Sequence, residues 1–540
     1  AAAEQGDAAT AVARWQAIAS AQPDDTRAAL QLARARAASG DFETAIAELR
    51  ALADKDDNDP RVWYELGKFS IMQGDARRAV DDHLVRALVL YKRSRDLYGQ
   101  AETVNALGVG YGRLGQTADA EEQYRKAVEL RRAVGNRRGV ATSLRNLASV
   151  VSLRGEFAAA KGYLEEARAL YEALGDRDGL AATDNEAGLL AEERGDYPQA
   201  LEAFRSALQT WQQSGDTYHV AEALNSIGYA HFQLGAYDSA QAFWRQSAEA
   251  FAQLGDLTGE IRTSQNLALL DIARGRWREA REPLERTRQQ AEQQQMLEEV
   301  AVSRRNLAEL ALWEGRIDLA LHEAAQAQAL FRQRNDQRGV TDAGLLRAQA
   351  FMAAGASVQA RQALQALREP LQQASSEQQA MAALVEAGIA RGERARTQEN
   401  AALAEASRLA RASGVRQLQL HVQLQRAAQG RADPALDAET ARLGHAGLRL
   451  AWLEQAMIRA LARGDHDSVL GHYAEARDRL RGQSYLRAYV LHRLAARAHA
   501  AAGDDRAAAE AQAAASAALE ALRARIPEDL REGFEAQVEE

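Results

Sequence analysis

The chain contains no cysteine, and that absence removes disulfide scaffolds, cysteine-ligated zinc, iron–sulfur clusters and thiol nucleophiles together. It does not choose a compartment, because an oxidising periplasm and a reducing cytoplasm both tolerate a thiol-free protein; the cytoplasm is the expected location and the periplasm a compatible one. Proline is down to 7 residues and aromatics to 6%, against 46% hydrophobic and 26% charged residues. That balance is too apolar and too evenly charged for a disordered chain, and it suits an alanine-rich helical protein rather than a β-sandwich. Lysine is scarce and none follows Lys161, so anion contacts in the C-terminal two-thirds fall to arginine, whose planar fork grips carboxylates in bidentate fashion. The net charge of -9 argues against a protein that tracks nucleic-acid phosphates. No stretch approaches the roughly 18 to 20 consecutive apolar residues of a membrane span. The first residue is Ala1, with no basic segment leading into an apolar one, which reads as a fragment or a processed product.

What is present is a repeat. Gly115, Gly155, Gly195, Gly235, Gly275, Gly315 and Gly355 stand at a strict spacing of 40, each followed five residues later by alanine, from Ala120 to Ala360. Seven residues before each glycine sits a small residue: Gly108, Ala148, Gly188, Gly228, Ala268, Ala308 and Ala348. Two small positions flanking one turn predict two helices in close contact. Upstream the same marks recur at a spacing of 34, in Gly6/Ala11, Gly40/Ala45 and Gly74/Ala79. A length of 540 residues suggests three or four domains on a prior of about 150 residues each. The repeat replaces them with one array, because a single hairpin cannot bury its apolar face alone and must stack on its neighbours.

These marks resemble the tetratricopeptide repeat. Trp63, Leu66 and Gly67, then Leu107, Gly108 and Tyr111, then Ala11, Trp15 and Pro23 match successive parts of its pattern, with Ser70 standing where tyrosine is usual. The 40-residue units are similar to the longer variety in kinesin light chains, Pins-like scaffolds and bacterial signalling regulators. The resemblance implies an all-α, right-handed superhelical solenoid of antiparallel helix hairpins. Its expected divisions are 1–99 in 34-residue units, 100–379 in seven 40-residue units, 380–525 in about four degenerate repeats, and 526–540 as a polar cap helix opening with Pro527. The six extra residues of a long unit are expected in its second helix, ahead of the Gly135-Asn136, Gly175-Asp176, Gly215-Asp216 and Gly255-Asp256 pairs. Residues 1–6 read as the end of a first helix. Pro283, about two turns into a second helix, predicts a kink, and 283–299, lacking the Gly-Asp pair, predicts a seam in the array.

Chemistry is hard to find. Gly110-x-Gly112-x-x-Gly115 matches a dinucleotide fingerprint as text, but no strand precedes it. His492 and His499 share a helix face, with His466 and His472 nearby, and lack a carboxylate at matching spacing, so no metal is expected. No nucleophile, base and orienting group assemble. The chain is expected to be no enzyme and to need no cofactor.

Recognition would belong to the face that lines the groove in the family. Carried onto this sequence it comprises Asn105, Arg113, Arg145, Asn146, Asn185, Asn225, Tyr229, Phe232, Arg262, Asn266, Arg305, Asn306 and Trp313. Asparagine is a mediocre helix former, so its return in successive units asks for a reason. Amides can pair with the backbone of an extended ligand while arginine takes its carboxylates. The same amides can instead bond to the next repeat, and Tyr229, Phe232 and Trp313 can fill the core rather than anchor a partner. The expected function is a scaffold holding a peptide or protein segment, as the regulatory part of a larger bacterial signalling protein. The alternative is a small-ligand or signal-peptide sensor for an attached kinase or DNA-binding domain. Nucleic acid is not an expected partner.

Overall fold

The computed structural model describes residues 8–22, 25–428 and 434–539. Gly6, Pro23 and the segment 1–6 lie outside the described residues. Every regular element among the described residues is helical, and the chain divides into two compact units, 1–190 and 191–540.

Hairpins follow from turn chemistry. In each long repeat the first helix ends at a glycine with positive φ, such as Gly155 at φ +77 and Gly195 at φ +76. There the absent Cβ makes the left-handed conformation accessible. The chain then turns into the second helix, and a second positive-φ residue 20 positions on returns it to the next repeat: Gly135, Gly175, Gly215 and Gly255. The residue after that glycine caps the following helix. Asn136 Oδ1 accepts from Gly139 N at 2.9 Å, and Asp216 Oδ1 accepts from His219 N at 3.1 Å.

The expected seam is not a break. Helix Trp277–Gln293 runs through Pro283 without interruption, and Gln295 takes the glycine's place at φ +56. Met296 N still donates to Ala291 O at 2.9 Å, as Asp256 N does to Phe251 O at 3.0 Å. The donor missing at Pro283 would have served the carbonyl of Glu279, an exposed residue whose backbone solvent can satisfy. Pro370 interrupts its helix more severely: the second helix of that repeat is split into Ser357–Gln365 and Arg368–Gln372.

The six extra residues are shared by both helices, which corrects their assignment to the second alone. The short repeats pair helices of 13 and 14 residues, Thr26–Ala38 and Phe42–Lys55. A long repeat pairs 16 with 18, Arg137–Ser152 and Phe157–Leu174. The added turns lie along a common interface, so lengthening one helix alone would leave its apolar stripe uncovered.

Size complementarity sets the helix contact. A Cβ added to Gly108 would lie 2.6 Å from the ring of Tyr124, and one on Gly228 2.5 Å from Trp244. Where the small residue is alanine the facing side chain shrinks: Ala148 clusters with Leu164, and Ala268 with Leu284. Volume is thus conserved across each pair, as dense packing requires. Gly110, from the apparent dinucleotide fingerprint, is helical and packs against Val80.

In the second unit the array returns on itself. Hairpin turns at Gly195, Gly235, Gly275, Gly315 and Gly355 meet, in the same order, Ser413, Leu443, Ala446, Leu486 and Gly533. Backbone bonds join the two layers: Leu486 N to Trp313 O and Asp318 N to Arg525 O, each at 3.0 Å. Gln483 Nε2 also donates to Gly275 O at 2.8 Å. Apolar contacts run alongside, with Ala380, Ala383, Leu409 and Leu418 sharing a core with Ala191, Phe204 and Ile227. The terminal segment belongs to this packing and is not a purely polar cap. Ile526, Leu530, Phe534 and Val538 form one stripe buried against Ile317, Ala354 and Ala356.

Candidate recognition faces

The expected groove residues separate into free and occupied groups. In the first unit, Arg113, Arg145, Asn146 and Asn185 make no hydrogen bond or ion pair with any described residue. Arg145 and Asn185 occupy the same register in successive first helices, Arg137–Ser152 and Arg177–Glu193. Arg145 is half-buried with its Nε shielded from solvent and without an acceptor. A guanidinium donor shielded from solvent is costly to leave unsatisfied.

Asn105, one repeat earlier in the same register, has a structural task. Its Oδ1 accepts from Ser143 Oγ at 2.9 Å and from Arg131 Nη1 at 3.3 Å. Arg131 is 3% exposed and also donates to Glu102 Oε2 and to Gly139 O, each at 2.8 Å. At a spacing of 40 its column holds Tyr91, Tyr171, Trp211, Phe251, Ala291 and Phe331, aromatic but for Ala291. An arginine in a column otherwise aromatic or apolar was the signal in the sequence for this network.

In the second unit most of the expected residues are already partnered. Asn266 Nδ2 donates to Asn225 Oδ1 at 2.9 Å, an amide pair between adjacent repeats. Arg262 Nη2 reaches Glu222 Oε1 at 2.7 Å. Asn306, 2% exposed, accepts from Arg305 Nη1 at 2.7 Å, while the Arg305 Nε is shielded and unpartnered. Phe232 is 4% exposed and stacks on Tyr237 with ring centroids 5.4 Å apart, so it belongs to the helix packing. Trp313 stacks on Trp277 at 6.4 Å and contacts Gly447 of the second layer. Tyr229 accepts from Gln233 Nε2 at 2.6 Å, and burial raises its phenol, with Arg338 opposing.

Those charges escaped the face-based reading. Arg338 and Glu377 lie in the first turns of Gln337–Ala353 and Ser376–Gly392, away from the chosen register. Their charges bias the ionisation of Tyr229 and Glu192 from helices far along the chain, which no local period encodes. Burial pushes the Glu192 carboxyl up to about 7, with Glu193 and Glu377 reinforcing and Arg338 opposing. Burial likewise raises Glu309 and Glu377.

His492 Nδ1 and the Tyr473 hydroxyl are hydrogen-bonded at 2.7 Å. Among the described residues, no group of three or more metal-ligating side chains gathers and no helix is long and apolar enough to cross a membrane.

Comparison with known proteins agrees with this architecture. Two tetratricopeptide-repeat family profiles match, one at residues 99–173, 179–253 and 219–293, the other at 2–80. No curated protein matches the chain. Among solved structures, a Rap protein complexed with Competence and Sporulation Factor is similar at 15% identity, covering 68% of this chain and 99% of that one, with a TM-score of 0.48. BtubC from P. vanneervenii is similar at 20% identity, covering 47% and 93%, with a TM-score of 0.32. MamA is similar at 21% identity, covering 34% and 97%, with a TM-score of 0.27. With its glycine-punctuated hairpins, small-to-large helix contacts and matched repeat profiles, the chain belongs to the tetratricopeptide-repeat family.

Proposed function

We propose that the protein is a binding scaffold whose first unit captures an extended, carboxylate-bearing segment of a partner protein. The observation that carries this reading is Arg145, shielded at Nε and without an acceptor, beside the unpartnered amide Asn146. Asn185 continues the register and Arg113 supplies a second free guanidinium. Arginine takes the acidic side chains of the segment, and the amides pair with its backbone donors and acceptors. A role as the regulatory part of a bacterial signalling protein suits a tetratricopeptide-repeat array, which acts through what it holds.

The test is selection of peptides from a displayed random library on the intact chain. Acidic peptides should be enriched, and their affinity should fall about tenfold or more in the Arg145→Ala/Asn146→Ala variant, whose helicity and melting stay unchanged. Enriched peptides that bind the variant as tightly as the parent would place capture elsewhere.

A further inference from the structure

Within the second unit, hairpin turns of the array and the returning chain together line a cleft of about 870 Å³. Three segments supply its arginines: Arg274 and Arg276 at one hairpin turn, Arg442 in the last turn of helix Pro434–Leu443, and Arg479 and Arg481 at the end of helix His466–Leu480. Hydrogen bonds tie the walls to one another. Gln483 Nε2 donates to Gly275 O at 2.8 Å, Gln483 Oε1 accepts from Arg278 N at 3.1 Å, and Arg278 Nη2 donates to Gly482 O at 3.0 Å. The arginines are thus brought to one cleft by the fold itself, before any ligand arrives.

The charged groups on these walls are unevenly engaged. Asp238 pairs with Arg274, and Arg276 Nε donates to Asp271 Oδ1 at 2.8 Å. Glu475 accepts from Arg479 Nε at 2.8 Å and from Arg449 Nε and Nη2 at 2.8 and 2.9 Å. Arg479 keeps both Nη groups without an acceptor among the described residues. Arg442 and Arg481 are exposed, and their side chains make no hydrogen bond or ion pair with any described residue. Of the carboxylates lining the cleft, Glu279 and Asp478 alone are equally unengaged. Helices Tyr237–Leu254 and Trp277–Gln293 also begin at this wall, and no side chain caps either N-terminus. Unengaged donors therefore outnumber unengaged acceptors, and the helix dipoles add to the positive side, which favours an anion. The large apolar side chains in the lining are Tyr237 and Leu443, only 5% and 8% exposed, so the cleft offers little surface to a nucleobase or an alkyl chain.

We propose that this cleft binds a small hydrophilic molecule carrying two or more phosphate groups. A tetrahedral phosphate accepts donors from several directions at once, as arginines arriving from three segments require, whereas a carboxylate is satisfied by one planar fork. Arg442, Arg479 and Arg481 supply the donors, and Glu279 and Asp478 oppose them. Arg481 ends its helix in the left-handed conformation, at φ +46, where glycine would carry no strain. The guanidinium therefore stands at this wall against the preference of its own backbone. The site belongs to the second unit and is independent of the capture face in the first.

The experiment is calorimetric titration and thermal shift of the intact chain with tripolyphosphate, fructose 1,6-bisphosphate, inorganic phosphate, ATP and citrate. Tripolyphosphate or fructose 1,6-bisphosphate should bind saturably, one per chain, and raise the melting temperature, while inorganic phosphate and citrate should bind at least about tenfold more weakly. ATP should bind no tighter than tripolyphosphate, because its base finds no platform. Arg442→Gln and Arg481→Gly should each weaken the tighter ligand about tenfold, and Asp478→Asn should tighten it about threefold by removing an opposing charge. Arg481→Gly places glycine where the backbone prefers it, so its melting temperature without ligand should hold or rise, which separates lost binding from lost folding. No saturable binding of either polyphosphorylated probe, citrate or inorganic phosphate binding as tightly, ATP binding more tightly than tripolyphosphate, or affinity indifferent to Arg442→Gln and Arg481→Gly would overturn the proposal. The Arg145→Ala/Asn146→Ala variant should bind these probes like the parent whatever becomes of its peptide capture.

Discussion

Substituting alanine at two glycines of equal backbone geometry isolates the contact between layers in the second unit. Gly155 and Gly195 have φ of +77 and +76, so the left-handed conformation penalises alanine equally at both, by about 1–2 kcal/mol. Their surroundings differ. A Cβ on Gly155 meets nothing within 4 Å, whereas one on Gly195 lies 2.1 Å from the carbonyl oxygen of Ser413 and 2.5 Å from its carbon. Both neighbours are backbone atoms and cannot swing aside. The approach is reciprocal, because a Cβ on Gly414 would lie 2.1 Å from Gly195 O. Relief therefore requires separating the turn at Gly195 from the segment 413–418, which loosens the apolar cluster containing Val415 and Leu418. The overpacking adds about 1–3 kcal/mol beyond the shared conformational cost. Repeat arrays unfold in parts, so the readout is hydrogen exchange by mass spectrometry together with urea denaturation. Gly195→Ala should accelerate exchange in Arg416–Ala427 and lower the stability of the second unit, while Gly155→Ala should leave that helix unchanged. Equal effects of the two substitutions would refute the layer contact.

Other substitutions probe the remaining interactions. Arg131→Met should destabilise the first unit by about 3 kcal/mol, measured by urea denaturation, because it strands the half-buried Glu102 and Asn105 and the buried Ser143; a cost under about 1 kcal/mol would contradict the network. Ala200→Trp should cost about 1–3 kcal/mol or more in the same assay, since Ala200 is 0% exposed beside Phe204; a neutral result would undermine the repeat register. Burial holds the imidazoles of His421 and His445 down at about 4, below the ordinary 6.5, with Arg391 adding to the effect on His421 and each histidine close to a cationic or imidazole neighbour. Their neutral forms therefore stabilise the fold above pH 6.5, and that contribution is lost as pH falls through about 4. The His421→Leu/His445→Asn variant should show a flatter fall in urea midpoint across this window, and an unchanged slope would refute the assignment.

The fold was legible in the sequence because a repeat writes the same local physics many times. Gly115 to Gly355, their following alanines and the small residues seven positions earlier mark turns and contacts that depend only on neighbours along the chain. Expectations went astray where local and global demands separate. Pro283 offends a helix in isolation, yet its orphaned acceptor lies on an exposed turn, so the helix continues. The terminal segment after Pro527 looked polar by composition, but its stripe of Ile526, Leu530, Phe534 and Val538 meets residues some 200 positions away. The groove face was legible as a register, but register alone could not say which members were already spent: Asn105 on Arg131, Asn225 on Asn266, Arg262 on Glu222. Arg338 and Glu377 were invisible for a related reason. Their charges act on Tyr229 from helices far along the chain, and no local period encodes that.

The capture of a partner segment by the first unit is tested most directly by mapping a selected peptide onto the intact chain by hydrogen exchange. Protection confined to the first helices Leu97–Arg113, Arg137–Ser152 and Arg177–Glu193, and lost in Arg145→Ala/Asn146→Ala, is the predicted result. Protection on the second helices such as Phe157–Leu174, or within residues 194–540 alone, would contradict it.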